Sequence, residues 1–518
     1  MPSPLARWCA RPCARINKPL RNMEKKMTTQ YKLYIDNQFV APDGDDYFPA
    51  VNPYTGETHA MVPQASDAQV AAAVAAARRA YETVWSKTNG LERAKLMIRL
   101  ADLLEANAER MGILETTDNG KVIRETGAQM LFAARAYRFF AGTADKIFGQ
   151  TIPLDQKDVF DFTRREALGV CVLITAWNSP MGLLSNKLAP ALAAGNCVII
   201  KPSEHASCTT LEFAKLVDEA GFPPGVINIV TGDYRVGQAL TRHGRVDRVS
   251  FTGSPEVGRK IAADAGERLI PVTLELGGKS PNIIFEDADL DKAVVGALAG
   301  IFAATGQTCI AGSRLLVQRG VYDEVVRRLA ERAKTIKLGN PLDKTTEMGT
   351  AANEPQFKRI LGKIDAAKAE GATIVTGGKA ASGDGLEKGF FIEPTIFRDV
   401  SNKSELAQEE VFGPVLAVIP FDTEEEAVAI ANDTKYGLAS GVWTTNLSRA
   451  MRMVRAINAG TVWVNTYRAA QVMAPFGGFK DSGFGKERGV MALEEFLQTK
   501  NVMIDFSLEE RDPFALKM

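Results

Sequence analysis

Between Ala167 and Lys279, short β-branched apolar runs alternate with segments of helical spacing, and this alternation restricts the possible folds more than any other feature. VCVLITA (170–176), CVIIK (197–201), VINIVTG (226–232) and RVSFTG (248–253) read as strands. LLSNKLAPALAAG (183–195) and TLEFAKLVDEAG (210–221) read as the helices between them. Strands that are apolar throughout must be covered on both faces, and a strand–helix–strand rhythm makes successive strands parallel. The expected fold class is α/β, with an open, Rossmann-like parallel sheet that binds ligands at the carboxyl ends of its strands.

A second α/β region runs from Gly277 to about Pro475. Its expected strands are NIIF (282–285), RLLVQ (314–318), LAVIPF (416–421) and TVWVN (461–465), with amphipathic helices over 321–336 and 354–371. Ahead of both regions, 31–40 alternates as a strand does. Residues 66–140 carry apolar side chains at helical spacing, with Asp67 placed to help cap the first helix. The stretch 492–506 ends in a strand remote in sequence from either region. A chain of 518 residues is too long for one core, so two or three domains are expected. Residues 29–144 and 166–276 suit a nucleotide-binding domain and 277–475 a second domain, with 145–165 and 476–506 bridging them and 507–518 as a tail.

Composition excludes several function classes. Lys plus Arg is 62 and Asp plus Glu is 62, so the net charge of 0 gives no reason to expect nucleic acid or an anionic membrane as partner. No uncharged apolar run reaches the roughly 18–20 residues that a bilayer crossing requires. The six cysteines lack CxxC spacing, and His59, His205 and His243 lie in separate contexts, so neither a disulfide framework nor a metal site is expected. A reducing cytoplasm suits such a chain. Residues 1–28 are basic, with Glu24 their one acid. They read as a disordered extension or as lying ahead of a true start at Met23 or Met27, with an organelle-targeting peptide as the alternative.

With histidine scarce, catalysis needs other groups. In GQTCIAGSR (306–314) small neighbours leave Cys309 open to a substrate, although a buried structural cysteine is an equal reading. Glu275 lies between Leu274 and Leu276, ahead of two glycines, where apolar surroundings raise a carboxyl pKa toward that of a general base. The alternative is a glutamate paired with a cation. Asn178, in ITAWNSP, can offer an amide to an oxyanion. Lys201 and Glu204, just after a strand, can hold ribose hydroxyls, and Glu204 would repel the extra phosphate of NADP. In FTGSPEVG, Gly253 and Gly258 allow close approach while Ser254 and a helix N-terminus can meet pyrophosphate.

TAWNSP, KPSE, GFPPGVINIVTG, FTGSPEVG, LELGGKSP, GQTCIAGSR, EEVFGPV and PFGGFKDSGFGKERG occur in that order, and through them the chain resembles the aldehyde dehydrogenase superfamily over residues 31–506. The resemblance implies a Rossmann-like cofactor domain, an α/β catalytic domain and a small β flap through which subunits pair. The flap would come from a hairpin near 145–165 and the strand near 499–506, giving a homodimer or homotetramer. The resemblance also implies NAD as cofactor, Cys309 as nucleophile, Glu275 as base, Asn178 as oxyanion donor and Lys187 as a proton relay. Lys201 and Glu204 would contact the adenosine ribose, and Glu410 the nicotinamide ribose with Phe412 beside it. Thr175, Trp177, Ser203, Gly232, Phe251, Gly253, Ser254, Gly258 and Leu276 complete the expected cofactor site.

The implied reaction converts an aldehyde to its acid through a thiohemiacetal and a thioester on Cys309, hydrolysed by water that Glu275 activates. CoA-acylating relatives release the thioester to CoA and typically lack this base, so Glu275 favours hydrolysis. A catalytically silent binding protein on the same scaffold is the other alternative. Ser179, Gly182, Asn186, Ala303 and Ala470 stand where acetaldehyde-oxidising relatives carry bulk, and Thr308 and Ile310 flank the nucleophile. A substrate bulkier or more polar than acetaldehyde is therefore expected. Arg468 reads as a solvated arginine, with contact to an anionic substrate end as the alternative. Ala176 and Arg488 depart from the residues many relatives carry, and the sequence assigns Arg488 no chemical consequence.

Overall fold

The structure, a computed structural model, describes residues 28–508 and Phe514. The N-terminal extension read above, apart from Thr28, and most of the C-terminal tail lie outside the described residues. Among the described residues no helix is long and apolar enough to cross a membrane.

The first sheet has its strands in the order Gly483–Phe484, Val272–Glu275, Arg248–Thr252, Val170–Thr175, Cys197–Pro202, Ile227–Ile229, Leu33–Ile35 and Gln38–Val40. From Val272–Glu275 to Ile227–Ile229 every pairing is parallel, as the alternation of runs predicts. The outer strands join antiparallel, so the early hairpin and a short late strand close the two edges. Val170–Thr175 and Cys197–Pro202 are buried at every position, which explains their continuous apolar character. The helix expected from 183 begins at Pro180, whose fixed φ and absent N–H suit the first helical turn.

The stretch 66–140 forms four helices, Asp67–Thr83, Gly90–Ala106, Ala108–Asn119 and Ile123–Ala141. Ser66, not Asp67, caps the first. Its hydroxyl accepts from the Gln69 N–H at 3.2 Å, and the Gln69 side chain accepts from the Ser66 N–H at 3.2 Å. Asp67 occupies the first turn, where its charge meets the positive helix end.

The second sheet runs Thr373–Thr376, Thr395–Arg398, Val415–Phe421, Arg314–Gln318, Pro281–Ile284, Ala439–Trp443 and Thr461–Val464. Alternation along these strands divides its core in two. Ile283, Leu316, Ala417 and Val442 join one cluster, while Ile284, Leu315, Leu416 and Trp443 join the other, so both faces are covered. In the third sheet, Leu497–Asp505 pairs antiparallel with Val159–Ala167, from Leu497 opposite Ala167 to Asp505 opposite Val159. Thr151–Ile152 lies on the other side of Val159–Ala167. The late strand thus reaches back over more than three hundred residues.

Candidate active site

The helix Leu290–Phe302 ends in the tight turn Ala303–Gly306, which delivers Cys309 to a cavity of about 400 Å³. Ala304, Thr305 and Gly306 all take positive φ, at 54°, 55° and 67°. Strain of this kind persists only where the surroundings impose it, and it concentrates at functional sites. Here the Ala304 N–H donates to Glu125 Oε1 at 3.0 Å, and Gln307 is fastened by bonds to the Thr350 carbonyl (3.0 Å) and the Ala352 N–H (2.9 Å). Asn178 Nδ2 donates to the Gln307 carbonyl at 2.9 Å, which holds the amide near the nucleophile and leaves its second N–H for another acceptor. Burial, then the nearby Glu410 and Glu275 carboxylates, push the Cys309 thiol up to about 12, while Arg488 pulls the other way.

Glu275 ends a parallel strand of the first sheet and lines the same cavity. Both its carboxyl oxygens are buried without a hydrogen-bond partner. Burial, with Glu487 adding to it, raises its pKa well above the ordinary carboxylate range. The alternative reading of Glu275 as the partner of a cation is not what the geometry shows. Lys187 is fully buried and bonds instead to Glu487 Oε1 (2.5 Å) and Ser250 Oγ (3.1 Å). Glu487 lines the cavity with Glu275, and both Glu487 and Lys187 act on Glu275 electrostatically.

A second cleft, of about 420 Å³, opens at the carboxyl ends of the first sheet's parallel strands. Thr175, Trp177, Lys201, Ser203, Glu204, Phe251 and Gly253 all line it. Lys201 Nζ lies 3.5 Å from Glu204 Oε2. Burial raises the Glu204 pKa, but Lys201 and a backbone N–H outweigh it and leave the group below its ordinary value, ionised at neutral pH. The buried Thr175 and Thr252 hydroxyls have no hydrogen-bond partner among the described residues. Thr252 borders both cavities, so the two meet there.

The other residues expected at the cofactor site lie off the cleft wall. Ser254 caps the helix Pro255–Glu267, accepting from the Val257 N–H at 3.3 Å. A methyl at Gly258 would lie 2.6 Å from Leu276 Cδ2, so that glycine and Leu276 set how closely this helix lies on the strand. Gly232 has φ +148° and makes room for Val236. Glu410 and Phe412 come from the second sheet's side. Glu410 accepts from the Gly278 N–H at 3.0 Å, and burial raises its pKa to about 7. The Phe412 ring meets Trp177 edge-on, with centroids 5.2 Å apart.

Ser179, Gly182, Asn186, Thr308, Ile310 and Ala470 line the catalytic cavity, whereas Ala303 does not. Phe132, Trp463 and Phe476 are on the wall too, so it keeps aromatic surface. Arg468 is half-exposed on that wall and donates to the Ala303 carbonyl at 2.9 Å. Arg488, for which sequence reading found no role, also lines the cavity. Its signal was an arginine in a segment otherwise matching the family motif. His59, Asp118 and Cys208, unrelated by spacing, bring possible ligand atoms within 4.8 Å of one another. Asp118 is already engaged by the Cys208 N–H (2.9 Å) and His59 (3.3 Å), a bond set that ties three elements together.

Known proteins resemble the chain over most of its length. A family model described as "Aldehyde dehydrogenase family" matches residues 39–502. A protein of Acinetobacter baylyi named (Z)-2-((N-methylformamido)methylene)-5-hydroxybutyrolactone dehydrogenase is 46% identical over 493 residues, 94% of this chain and 100% of that one. An aldehyde dehydrogenase of Enchytraeus buchholzi is 45% identical over 495 residues, 95% of this chain and 98% of that protein. Among solved structures, a point mutant of Staphylococcus aureus betaine aldehyde dehydrogenase in complex with NAD+ superposes with a TM-score of 0.92 at 40% identity, covering 93% of this chain and 98% of the other. The NAD+ complex of a Bacillus cereus aldehyde dehydrogenase gives 0.90 at 42% identity, covering 92% and 97%.

Proposed function

The chain belongs to the aldehyde dehydrogenase family, and from that premise we propose that it oxidises an aldehyde to its carboxylic acid with NAD, through a thioester on Cys309 that Glu275-activated water hydrolyses. The observation that carries this reading is the convergence of Cys309, Asn178 and Glu275 on one cavity that meets the strand-end cleft at Thr252.

The cleft suits NAD chemically. Lys201 and Glu204 offer a donor and an ionised acceptor to ribose hydroxyls, and the partnerless Thr175 hydroxyl is a buried polar group that a ligand would satisfy. Glu204 also opposes the extra phosphate of NADP, and Glu410 and Phe412 stand toward the catalytic end. When bound, NAD supplies the acceptor for the hydride that leaves the substrate carbon.

Cys309 sulfur, once deprotonated, adds to the aldehyde carbon, and the carbonyl oxygen takes the electron pair. The free N–H of Asn178 Nδ2 and the Cys309 N–H are the donors for that oxyanion, where losing one donor typically costs about 10²–10³ in kcat. Loss of hydride leaves a thioester. Glu275 takes a proton from water, whose oxygen attacks the acyl carbon and releases the acid and the Cys309 thiolate. A high pKa, caused by burial, makes Glu275 a stronger base than an exposed carboxylate once it is ionised. Glu487 and Lys187, bonded at 2.5 Å, provide a route by which its proton leaves.

A cavity of about 400 Å³ with Ser179, Gly182 and Ala470 on its wall holds a substrate larger than acetaldehyde. The Acinetobacter baylyi relative is named for a substituted hydroxybutyrolactone, itself larger than acetaldehyde. The cytoplasm is the proposed location, since Cys171, Cys197, Cys208 and Cys309 are all free.

NADH formation across an aldehyde panel tests the reading. Cys309→Ser is expected to abolish oxidation. Glu275→Gln is expected to give a burst of NADH stoichiometric with enzyme, then turnover slowed by about 10²–10⁴-fold for want of the base. Unimpaired turnover by Glu275→Gln would assign water activation elsewhere, and acetaldehyde as the best substrate would overturn the size argument.

A further inference from the structure

We propose that Arg488 is an anion-recognition residue of the catalytic cavity and that the preferred substrates are aldehydes bearing a carboxylate, an inference that rests on the oxidation proposed above. Arg488 lines the cavity that holds Cys309 and Glu275, and its guanidinium is fixed there without an acidic partner. The guanidinium carbon lies 5.2 Å from the Phe132 ring centroid and 4.9 Å from that of Phe476. Its one hydrogen bond runs from Nε to Asn186 Oδ1, at 3.4 Å. Nη1 and Nη2 have no partner among the described residues and remain open to the cavity.

Aromatic faces hold a guanidinium and stiffen it, but they offer no acceptor for its N–H fork. The two acids of the wall do not answer it either. Glu487 is bonded to Lys187 at 2.5 Å, and burial favours the neutral form of Glu275. Arg488 also holds a left-handed φ of 61°, a conformation in which a side chain is retained only by its surroundings.

Arg468 adds a second cation to the wall, bonded to the Ala303 carbonyl and to no carboxylate among the described residues. Lys121 is different, because it donates to Ser179 Oγ at 2.7 Å and has Glu125 and Glu115 beside it. No carboxylate among the described residues is ion-paired with either arginine, although Glu487 and Glu275 act on Arg488 electrostatically. A planar guanidinium with a free fork binds carboxylate through two parallel hydrogen bonds, and a substrate carboxylate supplies what the fold withholds.

Matched substrate pairs test this, each an acid with its own methyl ester: para-carboxybenzaldehyde and succinic semialdehyde. Wild-type protein is expected to favour the acids in kcat/KM, chiefly through KM. In Arg488→Met the acid-to-ester ratio is expected to fall by roughly 10- to 100-fold, the loss of one charge-assisted pair. Arg488→Lys should lose less, since it keeps the charge without the fork.

A wild-type preference for the esters overturns the proposal. So does a ratio that stays fixed in both variants while acids and esters slow together, because Arg488 would then act on the thiol and not on the substrate. If Arg488→Met does not fold by circular dichroism, the lysine variant carries the same comparison. If neither acids nor esters are oxidised, the oxidation reading fails by itself. Anion recognition is then read from calorimetric titration with terephthalate, which must bind wild-type protein and bind the variant more weakly.

Discussion

Cys309 shares its surroundings with three carboxyl groups, Glu410, Glu275 and Glu487, and this sets its reactivity before any substrate arrives. Burial is the first cause of its raised pKa and Glu410 the second. Glu410 is itself raised to about 7 by burial, so it carries full charge only above neutrality. Glu410→Gln removes that charge, which lowers the thiol pKa and increases the thiolate fraction at a given pH. At pH 8 alkylation by iodoacetamide is expected to speed up by roughly 3- to 10-fold, the effect of half to one pKa unit. Near pH 6, where Glu410 is mostly protonated already, the two proteins should react alike. An acceleration that persists there would mean that packing and not charge is responsible. Sequence already singled out Cys309, Glu275 and Asn178, because motif and chemistry coincide at each, and the fold brings the three to one cavity. It missed Arg488 because a charged residue in GKERG looks solvated until Phe132 and Phe476, from two other segments, are seen to enclose it.

The elements that deliver these side chains depend on a few backbone positions. A methyl at Gly306 would lie 2.0 Å from the Gly413 carbonyl oxygen, and φ there is +67°. Gly306→Ala should cost about 2 kcal/mol or more and lower the melting temperature, since both the clash and the left-handed φ oppose it. Gly362 is the contrast. It sits within the helix Glu354–Ala369, and its added methyl would meet nothing within 4 Å. Gly362→Ala should stabilise by about 0.5–1 kcal/mol, read as a rise in the same melting temperature. If the two variants melt alike, local backbone geometry is not what holds the nucleophile turn. The same kind of constraint hid the strand Ala439–Trp443 from the sequence. Its ASGVW is poor in β-branched residues because a side chain at Gly441 would lie 2.5 Å from Tyr467 and 2.6 Å from Asn282 Oδ1. Packing replaced propensity there, whereas the apolar strands of the first sheet were legible because their burial is complete.

At the scale of the whole molecule, the third sheet presents an edge that no other strand among the described residues covers. Leu497–Asp505 pairs with Val159–Ala167 on one side, and along 497–504 no other strand among the described residues pairs with it on the other. Phe160, Met503, Ile504 and Phe506 are all exposed on or beside that sheet. A long edge with apolar side chains is a pairing surface that proteins seldom leave open to water. We therefore propose that copies of the chain associate through it, as a dimer or a dimer of dimers. Phe160→Asp together with Met503→Lys places charge on the sheet without touching either cavity. Sedimentation at micromolar concentration is expected to shift toward the monomer, because a buried charge lacking a partner opposes association strongly. An unchanged sedimentation coefficient in this double variant would place the subunit contact on another surface. A wild-type protein that already sediments as a monomer would leave the edge to be shielded within the chain itself.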